Sequence, residues 1–356
     1  MSSLSDTIDS PASTSFFGLT RESLAGALGR HGQPGYRASQ LYTWVYRRHQ
    51  RDPAQMTDLP GALRRDLPAW LDLGLPAQAS VLGTPDDLTH KFVLDLADRA
   101  RVECVSMRTE RRLTMCLSSQ VGCALRCSFC ATGLMGLKRN LSAGEIVAQV
   151  VTMGEFHGWR DERFNLVFMG MGEPLANYEP VVEAVRIMRD PEGLNLGARR
   201  ITISTSGVVP QMRRLAEERI PVGLAVSLHA TTDAVRDQLV PINRRWPLEV
   251  LIPAARDYGR VSGRRVTLEY TLIAGVNDRD EDADRLSSIA NELPSKVNLI
   301  PYNPVPGLAY ERPTPEGVEQ FARRLYPKTP AVMIRNTLGG EIWAACGQLG
   351  GLSPRA

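Results

Sequence analysis

Between residues 113 and 340, short apolar runs alternate with amphipathic segments. Seven runs have the length and composition of buried strands, at 113–117, 165–169, 200–204, 222–228, 266–273, 297–300 and 331–335. Helical periodicity follows most of them, from residue 142 and at 179–189, 210–219, 248–260, 280–292 and 315–326. This alternation predicts a parallel sheet with right-handed crossovers. About six such units are fewer than the eight of a closed barrel, so we expect an α/β fold with an open, partial β/α barrel.

The first 75 residues have a different pattern. Residues 1–15 are rich in Ser, Thr, Pro and Asp and are predicted to be disordered. Residues 16–75 are predicted to form a small helical domain, because Thr20 has the position of a helix N-cap and a second apolar stripe covers 37–48.

Two further segments flank the barrel. Residues 76–112 are predicted to form a short β extension with turns at Pro85-Asp86-Asp87 and Asp98-Arg99. Residues 341–356 follow the last strand as a C-terminal segment. The barrel itself is therefore assigned to residues 113–340.

Composition narrows the class of protein. The chain has 356 residues, 43% of them hydrophobic, and a formal net charge of +3, which does not by itself indicate a nucleic-acid binder. The apolar runs are far below the roughly 18 residues of a membrane span, and the N-terminus lacks a secretory pattern. We therefore expect a soluble cytoplasmic protein. Six cysteines are too few for a disulfide scaffold, so clustered ones indicate metal binding or catalysis.

Three of these cysteines lie within eight residues, directly after the first predicted barrel strand. Cys123, Cys127 and Cys130 have C-x-x-x-C-x-x-C spacing, and Arg126 and Ser128 make the loop too polar for a plain core. Soft thiolates select zinc, copper or iron–sulfur clusters. Three ligands on a four-iron cluster would leave one iron open to bind a substrate. The spacing is similar to the signature of radical S-adenosylmethionine (SAM) enzymes, which implies a barrel of the radical SAM type.

The alternative interpretation is a degenerate zinc site or three core cysteines. A structural zinc site normally has a fourth Cys or His at short spacing, and the next histidine, His157, lies beyond a predicted helix.

Polar motifs follow several later strands, on the rim where barrel enzymes bind ligands. Glu173, in Gly170-Met171-Gly172-Glu173-Pro174, has the position to accept a hydrogen bond from the amino group of SAM, and Gly172 lets the backbone approach a ligand. The remaining candidate cofactor-binding residues on this rim are Ser204, Ser227, Leu228, His229 and Asn303.

Further motifs make the chain resemble the RlmN family of RNA methyltransferases over nearly its whole length. They are residues 115–123, the Gly-Met-Gly-Glu-Pro box at 170–174, and segments 204–210, 227–230, 240–243, 345–349 and 17–63. The resemblance implies methylation of adenine C2 in 23S ribosomal RNA and beside the tRNA anticodon. It also implies one [4Fe-4S] cluster, two SAM molecules per turnover, an electron donor of the flavodoxin or ferredoxin type, and a monomer whose N-terminal domain and barrel mouth bind RNA.

The resemblance also assigns roles to three residues outside the rim. Cys346 becomes methylated, and its methyl carbon, converted to a radical, adds to adenine C2. Glu103 then removes the C2 proton as the base. Cys116 attacks the Cys346 sulfur and leaves a transient Cys116–Cys346 disulfide. Taken alone, either cysteine is better explained as a buried inert thiol, which is the interpretation kept for Cys104.

Two alternative functions remain open from the sequence. A Cfr-like enzyme methylates C8 of adenine with the same cluster, cysteine pair and fold. A non-catalytic iron–sulfur RNA-binding protein would need neither Cys116 nor Cys346.

Overall fold

The computed structural model describes residues 13–83, 87–110, 112–159, 164–335 and 338–350. The chain divides into two compact units. The first unit comprises Met1–Leu75, Ser142–Trp159 and Glu183–Leu196, and the second comprises Pro76–Leu141, Arg160–Val182 and Gly197–Ala356.

The described residues form fourteen strands. They are β1 Thr14–Ser15, β2 Leu71–Asp72, β3 Ala77–Leu82, β4 Thr89–Asp95, β5 Arg101–Thr109, β6 Arg112–Cys116, β7 Gln120–Gly122, β8 Leu137–Asn140, β9 Phe164–Phe168, β10 Ile201–Thr205, β11 Gly223–Ser227, β12 Val266–Leu272, β13 Ser295–Pro301 and β14 Val332–Ile334.

The same residues form eleven α-helices. They are α1 Arg21–Arg30, α2 Arg37–Tyr42, α3 Gly61–Asp66, α4 Ala131–Leu134, α5 Ala143–Phe156, α6 Tyr178–Arg189, α7 Val209–Glu217, α8 Asp233–Leu239, α9 Leu248–Ser262, α10 Asp280–Asn291 and α11 Pro315–Leu325.

The first unit is helical, as the sequence predicts. The Thr20 hydroxyl accepts a hydrogen bond from the Ser23 N–H at 3.1 Å and caps α1. Thr14 and Ser15, which were predicted to belong to the disordered tail, form β1 and pair with β2. Residues 1–12 of the predicted tail lie outside the described residues.

Helix α5 also belongs to the first unit, although the pattern assigned it to the barrel. It begins with the predicted capping box of Ser142 and Glu145. Its first turn approaches Gly18 so closely that a Cβ at Gly144 would lie 3.0 Å from the Gly18 nitrogen. The hydrophobic periodicity of a sequence does not reveal close backbone packing of this kind.

The second unit contains a ten-stranded sheet in the order β14-β13-β12-β11-β10-β9-β6-β5-β4-β3. The seven strands from β6 to β14 in this sheet run parallel and follow chain order, which confirms about six strand–helix units. Within the described residues, β14 and β3 pair on one side only, so this partial barrel is open.

The predicted β extension forms the antiparallel strands β3, β4 and β5 beside β6. The turn at Asp98-Arg99 is present, with Arg99 at a φ of 66°. Of the other predicted turn, Pro85 and Asp86 lie outside the described residues.

The elements that the sequence analysis missed include helix α8 and an antiparallel hairpin of β7 and β8 that flanks the cysteine loop. The hairpin requires glycine at 122, where φ is 79° and a Cβ would lie 1.8 Å from the Gly136 carbonyl oxygen. In the part of the chain that the structure describes, no helix has the length and apolar content to span a membrane.

Candidate active site

A cavity opens at the carboxyl ends of the parallel strands in the second unit. We call it the first cavity. Residues at or near the ends of successive strands line it. The lining includes Cys123, Cys127, Cys130, Gly172, Glu173, Ser204, Ser206, Ser227, His229, Glu269 and Cys346. The predicted rim site therefore exists as one shared space.

The three clustered cysteines are held by backbone hydrogen bonds of residues 123–130, the cysteine loop. The Cys123 N–H donates to the Gly136 carbonyl at 3.0 Å, and the Cys130 N–H donates to Cys127 at 3.2 Å. Burial raises the pKa of Cys123 to about 12 and also raises the pKa of Cys127 and Cys130. A bound metal removes thiol protons, so buried thiols of this kind fit a cationic centre.

Three cysteine thiols are a donor set that fits an iron–sulfur cluster. Among the described residues, no three Cys, His, Asp or Glu side chains converge closely enough to hold one metal ion. In an iron–sulfur cluster each thiolate binds a different iron, so its cysteines are spaced further apart. Three thiols line one cavity and would leave one corner of a four-iron cluster without a cysteine.

Glu173 is a buried carboxylate at the edge of the first cavity. It accepts hydrogen bonds from the N–H groups of Leu175 at 3.0 Å and Ser206 at 2.8 Å. Burial raises its pKa, while the hydrogen bond from Ser206 opposes the rise. Its own N–H donates to the Gln120 side chain at 2.8 Å. The carboxylate is thus fixed in direction and can accept a further bond from a ligand ammonium group.

His229 is held as a neutral imidazole. Its Nδ1 accepts the Thr271 N–H at 3.0 Å, and burial, followed by the charge of Arg236, lowers its pKa to about 3. In this tautomer the Nε2–H is a hydrogen-bond donor. The imidazole therefore lines the cavity as a neutral donor.

A second cavity adjoins the first and shares Met169, Ile300, Cys346 and Leu349 with it. Cys116, Asn303 and Arg335 also line the second cavity. The structure thus brings Cys116 and Cys346 to one space although 229 positions separate them in the chain. Both are free thiols in this structure.

Arg335 supplies positive charge to the cysteine pair. Its interaction with Cys346 is the main cause that raises the pKa of Arg335. Burial raises the pKa of Cys116 to about 12, and Arg335 opposes that rise. A nearby guanidinium favours the thiolate over the thiol, and the thiolate is the reactive form of cysteine.

Glu103 lies on β5 and is 3% exposed. Its Oε2 accepts the Gly350 N–H at 3.1 Å and lies 3.5 Å from Nζ of Lys91. The predicted base is therefore adjacent to the C-terminal segment that carries Cys346, and it does not line either cavity.

Comparisons with known proteins agree with this geometry. The radical SAM superfamily matches residues 117–286, and the ribosomal RNA large subunit methyltransferase N-terminal domain matches residues 14–71. A probable dual-specificity RNA methyltransferase RlmN of Moorella thermoacetica is 48% identical over 338 residues, which cover 93% of this chain and 96% of the relative. The dual-specificity RNA methyltransferase RlmN of Cereibacter sphaeroides is 47% identical over 354 residues, covering 95% and 90%. The chain belongs to the RlmN family.

A solved structure agrees over the same length. A radical SAM methyltransferase from Sphaerobacter thermophilus superposes with a TM-score of 0.90 at 46% identity, covering 94% of this chain and 98% of that one. The α/β radical SAM fold with an N-terminal helical region is therefore confirmed.

Two of the predicted cofactor-binding residues of this RlmN-family chain do not line the first cavity. Leu228 is fully buried, its N–H donates to Glu269, and its carbonyl accepts Nε of Arg236 at 3.0 Å. Asn303 lines the second cavity, where its amide donates to the Cys346 carbonyl at 3.2 Å. Asn303 therefore contacts the C-terminal segment directly.

Sequence reasoning missed four charged residues of the RlmN site: Lys91, Arg236, Glu269 and Arg335. Arg236 is fully buried and binds the carbonyls of Ser206 at 2.7 Å and Ser227 at 3.1 Å, which fixes two of the rim loops. Lys91 was missed because the sequence analysis assigned no register to the strands, and the register of β4 with β5 is what places Lys91 near Glu103.

Proposed function

We propose that this chain methylates C2 of adenine in RNA, at adenosine 2503 of 23S rRNA and adenosine 37 of tRNA. The observation that carries the proposal is the second cavity, which Cys116 and Cys346 both line and which shares Cys346 with the cavity of the cysteine loop. The names of the dual-specificity relatives support the same substrate class.

Adenine C2 requires radical chemistry, because its hydrogen is not acidic and the carbon is not nucleophilic. When bound, a [4Fe-4S] cluster and SAM would supply the radical and one-electron chemistry that activates the methyl group on Cys346. Cys123, Cys127 and Cys130 would hold the cluster, and Glu173, Ser204 and Ser227 would hold SAM. We assign two SAM molecules to each turnover, and a flavodoxin or ferredoxin as reductant in a reducing cytoplasm.

The remaining steps belong to the protein's own side chains. Cys346 carries the methyl carbon until that carbon is bonded to C2. Glu103 then accepts the C2 proton, and the electron pair of the C–H bond returns to the ring. The Cys116 thiolate attacks the Cys346 sulfur, so that an S–S bond forms and the S–C bond breaks. The electron pair leaves with the carbon, which takes a proton and becomes the methyl group.

The test is reconstitution with iron and sulfide without oxygen, followed by mass spectrometry of nucleosides from RNA treated with the enzyme, SAM and a reductant. We expect 2-methyladenosine from the wild-type chain and none from Cys346→Ala. Cys104→Ala is the matched control and should retain activity, because Cys104 is a buried thiol outside both cavities. 8-Methyladenosine instead would show Cfr-like chemistry, and an active Cys346→Ala variant would contradict the cysteine mechanism.

A further inference from the structure

Lys91 and Glu103 lie on the same face of the antiparallel pair β4 and β5. Glu103 pairs with Val93, which lies two residues beyond Lys91 and so on the same face, and Lys91 pairs with Val105. Val105 in turn pairs with Cys116 of β6. The register therefore places a lysine, the proposed base and the resolving thiol on one surface of the sheet.

The lysine is enclosed there. Its side chain has no exposed surface, and Nζ lies 3.5 Å from Oε2 of Glu103. Nζ also donates to the Trp343 carbonyl at 3.3 Å, and the same Glu103 oxygen accepts the Gly350 N–H. Lys91 and Glu103 thus bind each other. Each also binds the segment that contains Cys346, Lys91 at Trp343 and Glu103 at Gly350.

A fully buried lysine is costly to keep charged. A well-packed pair of apolar residues often stabilises a fold at least as much as a buried ion pair does. Burial lowers the pKa of Lys91, and its ion pair with Glu103 opposes that change. Perturbed ionisable pairs of this kind occur preferentially at functional sites. The Cys104 thiol also interacts electrostatically with Glu103, and it supplies no positive charge.

We propose that Lys91 is a positioning residue whose charge and hydrogen bond hold the Glu103 carboxylate against the Cys346 segment for proton removal from the RNA adduct. This inference rests on the proposed function of Glu103. In the step concerned, one proton passes from adenine C2 to the Glu103 carboxylate, and the C–H electron pair remains on the ring. Lys91 transfers nothing and acts through its charge and its hydrogen bond.

The experiment compares reconstituted wild-type enzyme with Lys91→Met, and measures how fast the covalent protein–RNA adduct is resolved as a function of pH. Lys91→Met removes the positive charge beside the carboxylate, and loss of a neighbouring opposite charge disfavours the ionised form of an acid in general. We therefore expect at least a tenfold slower resolution at neutral pH, and a rising limb of the pH profile shifted upward by about one unit or more. Release of 5′-deoxyadenosine and methylation of Cys346 should stay near wild-type levels, because Lys91 does not line the first cavity.

Three further variants separate this role from a structural one. Lys328→Met is the matched control, since it breaks an exposed lysine–carboxylate pair, with Asp284 at 2.8 Å, and should change nothing. Lys91→Arg keeps the charge and should keep the wild-type midpoint of the pH profile even if its rate falls. In a Glu103→Gln background, Lys91→Met should slow resolution no further, because both residues act on one step.

Defined outcomes overturn the inference. An unchanged pH profile in Lys91→Met would do so. An equal loss of cofactor cleavage, Cys346 methylation and adduct resolution would also do so, because it indicates misfolding or a structural role only. If Lys91→Met does not fold, Lys91→Arg decides instead: a shifted midpoint in its pH profile of adduct resolution would overturn the inference. If instead the wild-type chain forms no methylated adenine, it is the proposed function that fails, whatever Lys91 does.

Discussion

At the scale of single residues, the pleat of the antiparallel strands decides which cysteine can react. Cys116 pairs with Val105, whereas Cys104 pairs with Phe92 and so points to the opposite face of β5. Burial raises the pKa of both thiols. The difference between them therefore lies in what they face, since only Cys116 shares a cavity with Cys346 and Arg335.

Substitution of these two thiols should give opposite results. Cys116→Ala should accumulate RNA covalently bound to the protein, because the bond from Cys346 to the methyl carbon then has no thiol to break it. Cys104→Ala should turn over normally and lose only the roughly 1 kcal/mol of a small buried group. Denaturing gels before and after ribonuclease treatment measure the adduct. Normal turnover by Cys116→Ala would contradict the assigned role.

His229 should make stability depend on pH in acid. Its pKa is 6.5 when unperturbed and about 3 in the folded chain, so between these values the unfolded chain binds a proton that the folded chain does not. The free energy of unfolding should therefore fall as pH falls from 6.5 towards 3, by up to about 1.4 kcal/mol per pH unit. Denaturant unfolding at several pH values measures this. In His229→Asn, which retains an acceptor for the Thr271 N–H, the slope should be smaller by that amount. Equal slopes would rule out the neutral imidazole.

At the scale of elements, the loop after β9 is shaped by glycine. Gly172 has a φ of 98°, and a Cβ there would lie 2.5 Å from the Cβ of Gln120. Gln120 in turn accepts the N–H of Glu173. Because Gly172 has no side chain, the loop can pack on β7 and orient the Glu173 carboxylate.

Gly172→Ala should therefore weaken SAM binding as well as stability, because the loop must move away from Gln120. Gly263→Ala is the control, since Gly263 has a φ of 65° but open space around it. The control should cost roughly 1 kcal/mol of stability and leave SAM affinity unchanged. Calorimetric titration of SAM into the reconstituted variants checks this. Equal SAM affinity in the two variants would show that the Gly172 contact is unimportant.

The elements also show what hydrophobic pattern can predict. The seven parallel strands were predicted within one or two residues of their ends, because most of them contain a short run of buried apolar residues. Helix α8 was missed because its two fully buried residues, Arg236 and Leu239, include a charged one, so no apolar stripe marks it. Most of the rim residues were also predicted, since strand ends fix their place. Lys91 and Arg335 were not, because sequence reasoning expects charged side chains at the surface.

At the scale of the whole molecule, cluster binding is separable from folding. The cysteine loop is anchored by protein hydrogen bonds, in which the Ser128 N–H donates to the Leu239 carbonyl at 3.1 Å and the Ala131 N–H, just past the loop, donates to the Gly347 carbonyl at 2.8 Å. The surrounding sheet has its own buried core. This differs from small zinc domains, which unfold when the metal is removed.

Removal of the cluster by a chelator should therefore abolish SAM cleavage while leaving the fold intact. We expect the visible absorption of the cluster to disappear, the far-ultraviolet circular dichroism to stay unchanged, and Tm to fall by less than about 5 °C. A triple variant with Ser at 123, 127 and 130 is the control and should match the stripped protein in all three measurements. Cooperative unfolding on chelation would contradict this, because it would mean that the anchoring hydrogen bonds cannot hold the loop and sheet together without the metal.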